Sequence, residues 1–323
     1  MAMTYRCSLL CLAVAGLVAG CQPAEDPPPA AQTPEMTTEP DHSAAATLTD
    51  WQRFVESFIE DYFSAHPAFA VVQGRHEFDG MLPDWSAEGI AGEIERLKQA
   101  REQALSFADA DLGAEAAFQR EYLLASIDRN LFWLDKADRP FRNPDFYFDW
   151  LSDSIAPAPY LSLDYAPLPD RMRAYVRYAR AIPRAVAQIR ANLRMPMART
   201  VLQYGIDSFG GLADYYRNDV PGAFASVEDA ELHAEFAAAN EAASSAMQEL
   251  TDWLQSNLAS ATQDFALGPE LFRQMIYDTE RVDIPLEDLE AMGWADLRRN
   301  QQALAEACAE FAPGESIAAC FSR

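Results

Sequence analysis

Positive charge is scarce in this sequence: 25 Lys and Arg stand against 50 Asp and Glu, a formal net charge of −25 over 323 residues. That balance excludes a nucleic-acid partner, because phosphate binding needs clustered guanidinium and ammonium groups. It equally excludes charge-driven adhesion to an anionic lipid surface. Histidine is scarcer still, with only His42, His66, His76 and His233. No two of them stand one helical turn apart, the spacing that lets two imidazoles share one zinc ion. Neither Gly-x-x-x-x-Gly-Lys nor Gly-x-Gly-x-x-Gly occurs, so a phosphate-cradling loop is absent. Sustained alternation of β-branched residues and Asn-Gly hairpin turns are missing too, which points to an all-α chain. Half the residues are nevertheless hydrophobic and 11% aromatic, enough for a buried core. At roughly 100–200 residues per domain, the length allows one large domain or two.

The N-terminus carries an address. Arg6 precedes an apolar run from Ser8 to Gly20, which as a helix spans about 20 Å and falls short of a ~30 Å hydrocarbon core. It fits the apolar region of a secretory signal over residues 1–20. The junction Val18-Ala19-Gly20-Cys21 resembles the bacterial lipoprotein box, which implies cleavage before Cys21 and acylation of that residue. Several acyl chains anchor stably where one is marginal. Gln22 after the cysteine resembles the pattern that sorts lipoproteins to the outer membrane, facing the periplasm. Residues 21–48 then read as the lipidated Cys and a Pro/Ala/Thr/Glu-rich tether, with Pro23, Pro27, Pro28, Pro29, Pro34 and Pro40 and almost nothing to bury. Of the remaining cysteines, Cys7 and Cys11 leave with the signal. Whether Cys308 and Cys320 bridge depends on a Cα separation that the sequence leaves open.

From Thr49 the apolar period becomes helical. Trp51, Phe54, Val55, Phe58, Ile59, Tyr62 and Phe63 form one stripe, with Thr49 and Gln52 in capping-box register. Ser86 opens a second helix with Ile90, Ile94, Leu97 and Leu105 on one side. Further helices are expected over 114–134 (through Phe118, Ile127 and Leu131), after Asp170, and over 198–216, 227–258, 269–277 and 286–311. The fold class is therefore all-α, a multi-helix bundle-like body. Two segments interrupt it: the turn-rich 66–86, and 138–170, where six prolines alternate with Phe141, Phe146, Tyr147, Phe148, Trp150, Tyr160 and Tyr165. Such aromatic density implies packing; the segment either wraps the bundle or lines a cleft.

His66-Pro67, Gly74, Asp79-Gly80, Leu82-Pro83-Asp84 with Ser86, Asn143-Pro144 with Tyr147, Ile182-Pro183, Asn192-Leu193 and Leu267-Gly268 with Phe272 follow one another in an order that resembles the bacterial DUF885 family. The resemblance covers most of residues 50–312. It implies a body like the N-terminal half of a helical metallopeptidase fold, within a zinc-dependent peptidase-like hydrolase. The family's His-Glu motif with a second His lies in its C-terminal half, and here His76-Glu77 runs into Phe78-Asp79-Gly80. No zinc ligand carries over to any residue present. Zinc is expected only of a longer product bearing that motif, and residues 49–323 are expected to be a C-terminally incomplete domain. The other reading is a non-catalytic, lipid-anchored binding or scaffolding protein.

Among other chemistries, Ser208 between Gly205 and Gly210 departs from the Gly-x-Ser-x-Gly elbow and has no strand before it. His66 is expected at a helix end bonding free carbonyls, His76 beside Asp79 and Asp84, and His233 in solvent. Arg173, Arg177, Arg180 and Arg184 share one helix face. They are expected to meet carboxylates of neighbouring helices, or to hold the terminal carboxylate of a peptide. The candidate substrate-contacting residues are His76, Arg177, Arg180, Tyr147 and Tyr160.

Overall fold

The computed structural model describes residues 42–148 and 154–322. Among them thirteen α-helices follow in order: α1 (His42–Ala65), α2 (Pro67–Val72), α3 (Ala87–Leu105), α4 (Asp109–Leu131), α5 (Arg139–Arg142), α6 (Ala158–Ser162), α7 (Leu168–Asn192), α8 (Arg199–Asn218), α9 (Val220–Ala223), α10 (Ala230–Ser256), α11 (Pro269–Glu280), α12 (Leu286–Phe311) and α13 (Ile317–Phe321). No strand occurs among the described residues; one isolated bridge joins Ala198 to Thr262. The signal, Cys21, the tether up to residue 41 and Trp150 lie outside the described residues.

Two apolar cores organise the body. In the larger, α7, α8 and α10 present Tyr175, Ile182, Ile189, Leu202, Phe209, Met247 and Leu250 to one another. Small residues let these helices approach closely: Ala179, Ala213 and Ala243 are fully buried, and a Cβ at Gly205 would stand 3.3 Å from Leu254 of α10 and collide with Pro144 of the preceding segment at 2.7 Å. The smaller core joins α1, α3 and α4 through Trp51, Phe54, Leu97, Leu124 and Ile127. Phe146 packs against both cores. The larger core also holds a polar ladder. Tyr175 donates its hydroxyl to Asn240 Oδ1, Asn240 Nδ2 donates to the Tyr216 carbonyl at 2.7 Å, and Tyr178 and Tyr216 hydroxyls meet at 2.8 Å. Burial pushes all three phenols above their usual range, so they remain protonated donors.

Several boundaries differ from expectation. α1 begins at His42, so Thr49 lies inside the helix rather than capping it, and the tether expected to reach 48 gives way to helix at 42. Ser86 does cap α3, accepting from the Gly89 N–H at 3.0 Å. Leu105 (51% exposed) and Phe118 (71%) were expected on covered faces, and neither is covered. Of the 138–170 segment, the described residues Tyr147, Ile155 and Tyr160 are buried, as its aromatic density implies.

Candidate functional site

Three of the residues singled out in the sequence meet where the turn 76–80 presses on α7. A 3-10 turn over His76–Phe78 runs into Gly80, whose φ of +85° suits glycine and whose Cβ, if present, would stand 2.5 Å from Arg177 Cβ. The Gly80 N–H donates to the Tyr160 hydroxyl at 2.8 Å, and Arg177 Nε donates to the Asp79 carbonyl at 3.3 Å. The Asp79 carboxylate accepts from the Tyr165 hydroxyl at 2.9 Å and sits 3.2 Å from His76 Nδ1. His76 lies flat on the Tyr165 ring, centroids 3.7 Å apart. Burial pushes the Tyr160 phenol up to about 12. Burial and the Asp79 carboxylate together raise Tyr165 further, so both phenols keep their protons.

This corner unites three of the five expected residues: His76, Tyr160 and Arg177. With a carboxylate oxygen opposite Nδ1, the neutral imidazole holds its proton there and turns Nε2 into the free acceptor. His76 remains one-third exposed. The pair can therefore orient an imidazole and hold or take a proton, beside a guanidinium whose neighbours on the stripe are occupied. Arg173 pairs with Asp170 and Asp229, Arg184 stands 3.7 Å from Asp84, and Arg180 meets Glu235 of α10 at 2.7 Å. The stripe thus meets carboxylates of neighbouring elements, with Arg177 held by a carbonyl instead. A groove of about 380 Å³ between α7 and α10 is lined by Arg173, Arg177 and Arg180 opposite Asp229, Glu231 and Glu235.

The other candidates fall elsewhere. Tyr147 is fully buried; its hydroxyl donates to the Pro140 carbonyl at 2.8 Å and accepts from Asn192 at 3.1 Å, so it is a core residue with no face toward a ligand. Tyr160, 3% exposed, buttresses the turn from inside. Arg180 forms an exposed ion pair. His66 Nε2 lies 3.1 Å from Glu93 Oε1, and Arg96 grips the same carboxylate with two bonds of 2.7 Å. His233 is half-buried, and its Nε2 lies 2.7 Å from the Val227 carbonyl. Ser208 sits within α8, away from any strand–turn elbow.

What the sequence missed is Tyr165, 86 residues from Asp79; only the aromatic density of 138–170 hinted at it. It also missed two concavities. One, about 520 Å³, is lined by Arg139, Arg142, Arg194 and Phe265 among others. The other, about 560 Å³, lies between α1 and α4, with Phe58, Tyr62, Phe63, Phe69, Phe118 and Tyr122 in its wall. Among the described residues no group of three or more His, Cys, Asp and Glu could hold a metal ion. His66 and His76 each face a carboxylate, and the described residues do not fit a zinc site. Cys308 and Cys320 are joined, their Cα atoms 5.9 Å apart. No described helix is long and apolar enough to cross a membrane.

Among curated proteins none matches the chain significantly. A solved structure from Shewanella oneidensis, described as "a putative lipoprotein of unknown function", is similar with a TM-score of 0.68 and 19% identity. The likeness covers 81% of this chain and 48% of that one. This chain thus spans about half the length of the Shewanella protein. Residues 67–323 match the family model described as bacterial protein of unknown function (DUF885). From the ordered motifs, the helical body and that match, the chain belongs to the DUF885 family.

Proposed function

We propose that this chain forms one helical wall of an envelope-anchored, peptidase-like hydrolase, tethered through acylated Cys21 to the outer membrane and facing the periplasm. The observation that carries the reading is that a member of this family spans only 48% of a similar fold, while its described residues do not fit the zinc site expected of the longer product. The catalytic metal belongs, on this reading, to the part of the family fold that the chain does not span. What this chain's residues supply is orientation: Asp79 fixes the His76 ring, and Arg177 offers its outer nitrogens to the terminal carboxylate of a peptide. The lipoprotein box at Val18–Cys21 and the description of the Shewanella protein support the anchor.

The purified 323-residue chain is expected to bind no stoichiometric zinc and to leave dipeptides intact. Tight zinc with dipeptide cleavage by this chain alone overturns the proposal. In a longer family product, Arg177→Ala is expected to raise KM for peptides with a free C-terminus and spare those with an amidated one. Equal turnover of both, with reduced thermal stability, would make the corner a buttress and favour the non-catalytic scaffold. Labelled palmitate is expected on the chain in a Gram-negative host and absent from Cys21→Ala.

A further inference from the structure

The concavity of about 520 Å³ beside α5 is walled by three stretches of chain: 133–143, which includes α5; 194–201, from the α7–α8 link into α8; and 262–267, after α10. Backbone hydrogen bonds fasten these stretches to one another. The Arg194 N–H donates to the Phe141 carbonyl at 3.0 Å, the Thr262 N–H to the Met197 carbonyl at 2.9 Å, and the Arg199 N–H to the Thr262 carbonyl at 2.9 Å. The walls are thus in place before a ligand arrives, which spares part of the ordering cost of binding. Trp133, Met195, Met197, Val201, Leu267 and Phe265 supply the apolar part of the lining. Phe265 is 68% exposed, and the Arg139 guanidinium lies over the Trp133 ring, 5.2 Å from its centroid. This volume, with apolar walls and a few charged groups, is that of a small-molecule site.

The charges in the lining select the ligand. Arg194 is paired with Asp138, and Arg139 with Asp145. Arg142 and Asp264 remain. Both are exposed, and among the described residues neither side chain forms an ion pair or hydrogen bond, with the other or with any neighbour. One unengaged cation and one unengaged anion in a single apolar-walled concavity match a molecule that carries both charges. The guanidinium fork takes a carboxylate through two parallel bonds, and a carboxylate accepts from an ammonium. Net charge favours the same class: a chain at −25 repels anions, whereas a ligand of zero net charge meets no such barrier. We propose that this concavity binds a small apolar zwitterion, an amino acid of the leucine or phenylalanine class. Its carboxylate lies on Arg142, its ammonium on Asp264, and its side chain against Trp133 and Phe265. The site shares no residue with the His76 corner, so the proposal holds for a hydrolase and for a scaffold alike.

The test is calorimetric titration of the full 323-residue chain with phenylalanine, N-acetylphenylalanine, phenylalaninamide and alanine, at about pH 6, where free α-amines are charged. Phenylalanine should saturate one site. Each derivative lacking one charge should bind at least about 10-fold more weakly, and alanine likewise for want of apolar area, by about 10-fold or more. Arg142→Gln should weaken phenylalanine about 10-fold and make it equal to its amide. Asp264→Asn should make phenylalanine equal to its N-acetyl derivative. Both side chains are exposed and unpaired, so both variants should keep the native Tm, which separates lost binding from lost folding. Phe118→Ser, in the apolar groove between α1 and α4, should leave the affinity unchanged. Four results overturn the proposal: no saturation by about 5 mM phenylalanine; either derivative binding as tightly as phenylalanine, which would make this a site for a single charge; native affinity in Arg142→Gln; or loss of binding in Phe118→Ser. The zinc and dipeptide assays are read independently, so this site and the hydrolytic reading fail separately.

Discussion

At the scale of single residues, buried polar groups decide what this chain tolerates. Asn240 serves both the Tyr175 hydroxyl and the Tyr216 carbonyl. Asn240→Leu leaves both without a partner in the larger core, at an expected cost of about 3 kcal/mol, measured by urea unfolding. Gly80→Ala sets a Cβ against Arg177 and places a side chain at positive φ. Its expected cost is roughly 2–3 kcal/mol, and it should release the His76–Tyr165 stack, visible in the histidine ring NMR shifts. Arg180→Ala removes a pair whose members are 55% and 44% exposed, so its effect on stability should stay within about 1 kcal/mol. The sequence alone ranked Tyr147 and Arg180 beside His76 because composition cannot tell a buried hydroxyl or a surface ion pair from an accessible group. The Asp79 neighbour of His76 was legible from a three-residue spacing. Tyr165 was not, because it lies 86 residues from Asp79, in the short link between α6 and α7.

At the scale of elements, the joints between helices are electrostatic. Glu93 of α3 holds the α1–α2 junction through His66, and Arg96 steadies it. Burial opposes ionisation of Glu93, but the hydrogen bonds from His66 and Arg96 outweigh it and hold the carboxyl below its ordinary value. A depressed carboxyl adds stability that is complete above its unfolded value, near 4.5, and is lost as pH falls through the folded value. Acid unfolding of Glu93→Gln should therefore depend less on pH below about 4.5 than that of the native chain. Asp128 of α4 accepts from Arg101 of α3 and from Arg281 beyond α11, both at 2.6 Å, which fixes where α12 departs. The Cys308–Cys320 link closes a separation of 12 residues. Replacing both cysteines with Ala should loosen α13 by about 3 kcal/mol on chain-entropy grounds, read as faster amide exchange confined to α13.

At the scale of the whole molecule, a net charge of −25 makes the folded state repel itself. Raising salt from about 10 mM to about 150 mM, which shortens the screening length from roughly 30 Å to 8 Å, should raise Tm. The sequence by itself determined the class and much of the segmentation of this protein: a 3.6-residue apolar period lapses in the turn-rich 66–86 and the proline-rich 138–170, though α7 runs through Pro183 and α8 through Gly210-Gly211. It also determined the family, through short motifs kept in order. Only the tertiary structure decided which apolar faces are covered. Phe118 of α4 and Leu297 of α12 stand in patterns as periodic as those of Ile189 or Leu250, yet both are exposed; periodicity states that a face exists, not that something packs on it. The corner of His76, Asp79, Tyr165 and Arg177 was decided at the same level. It joins residues from three stretches of chain, and their meeting depends on a glycine narrow enough to let a turn touch α7.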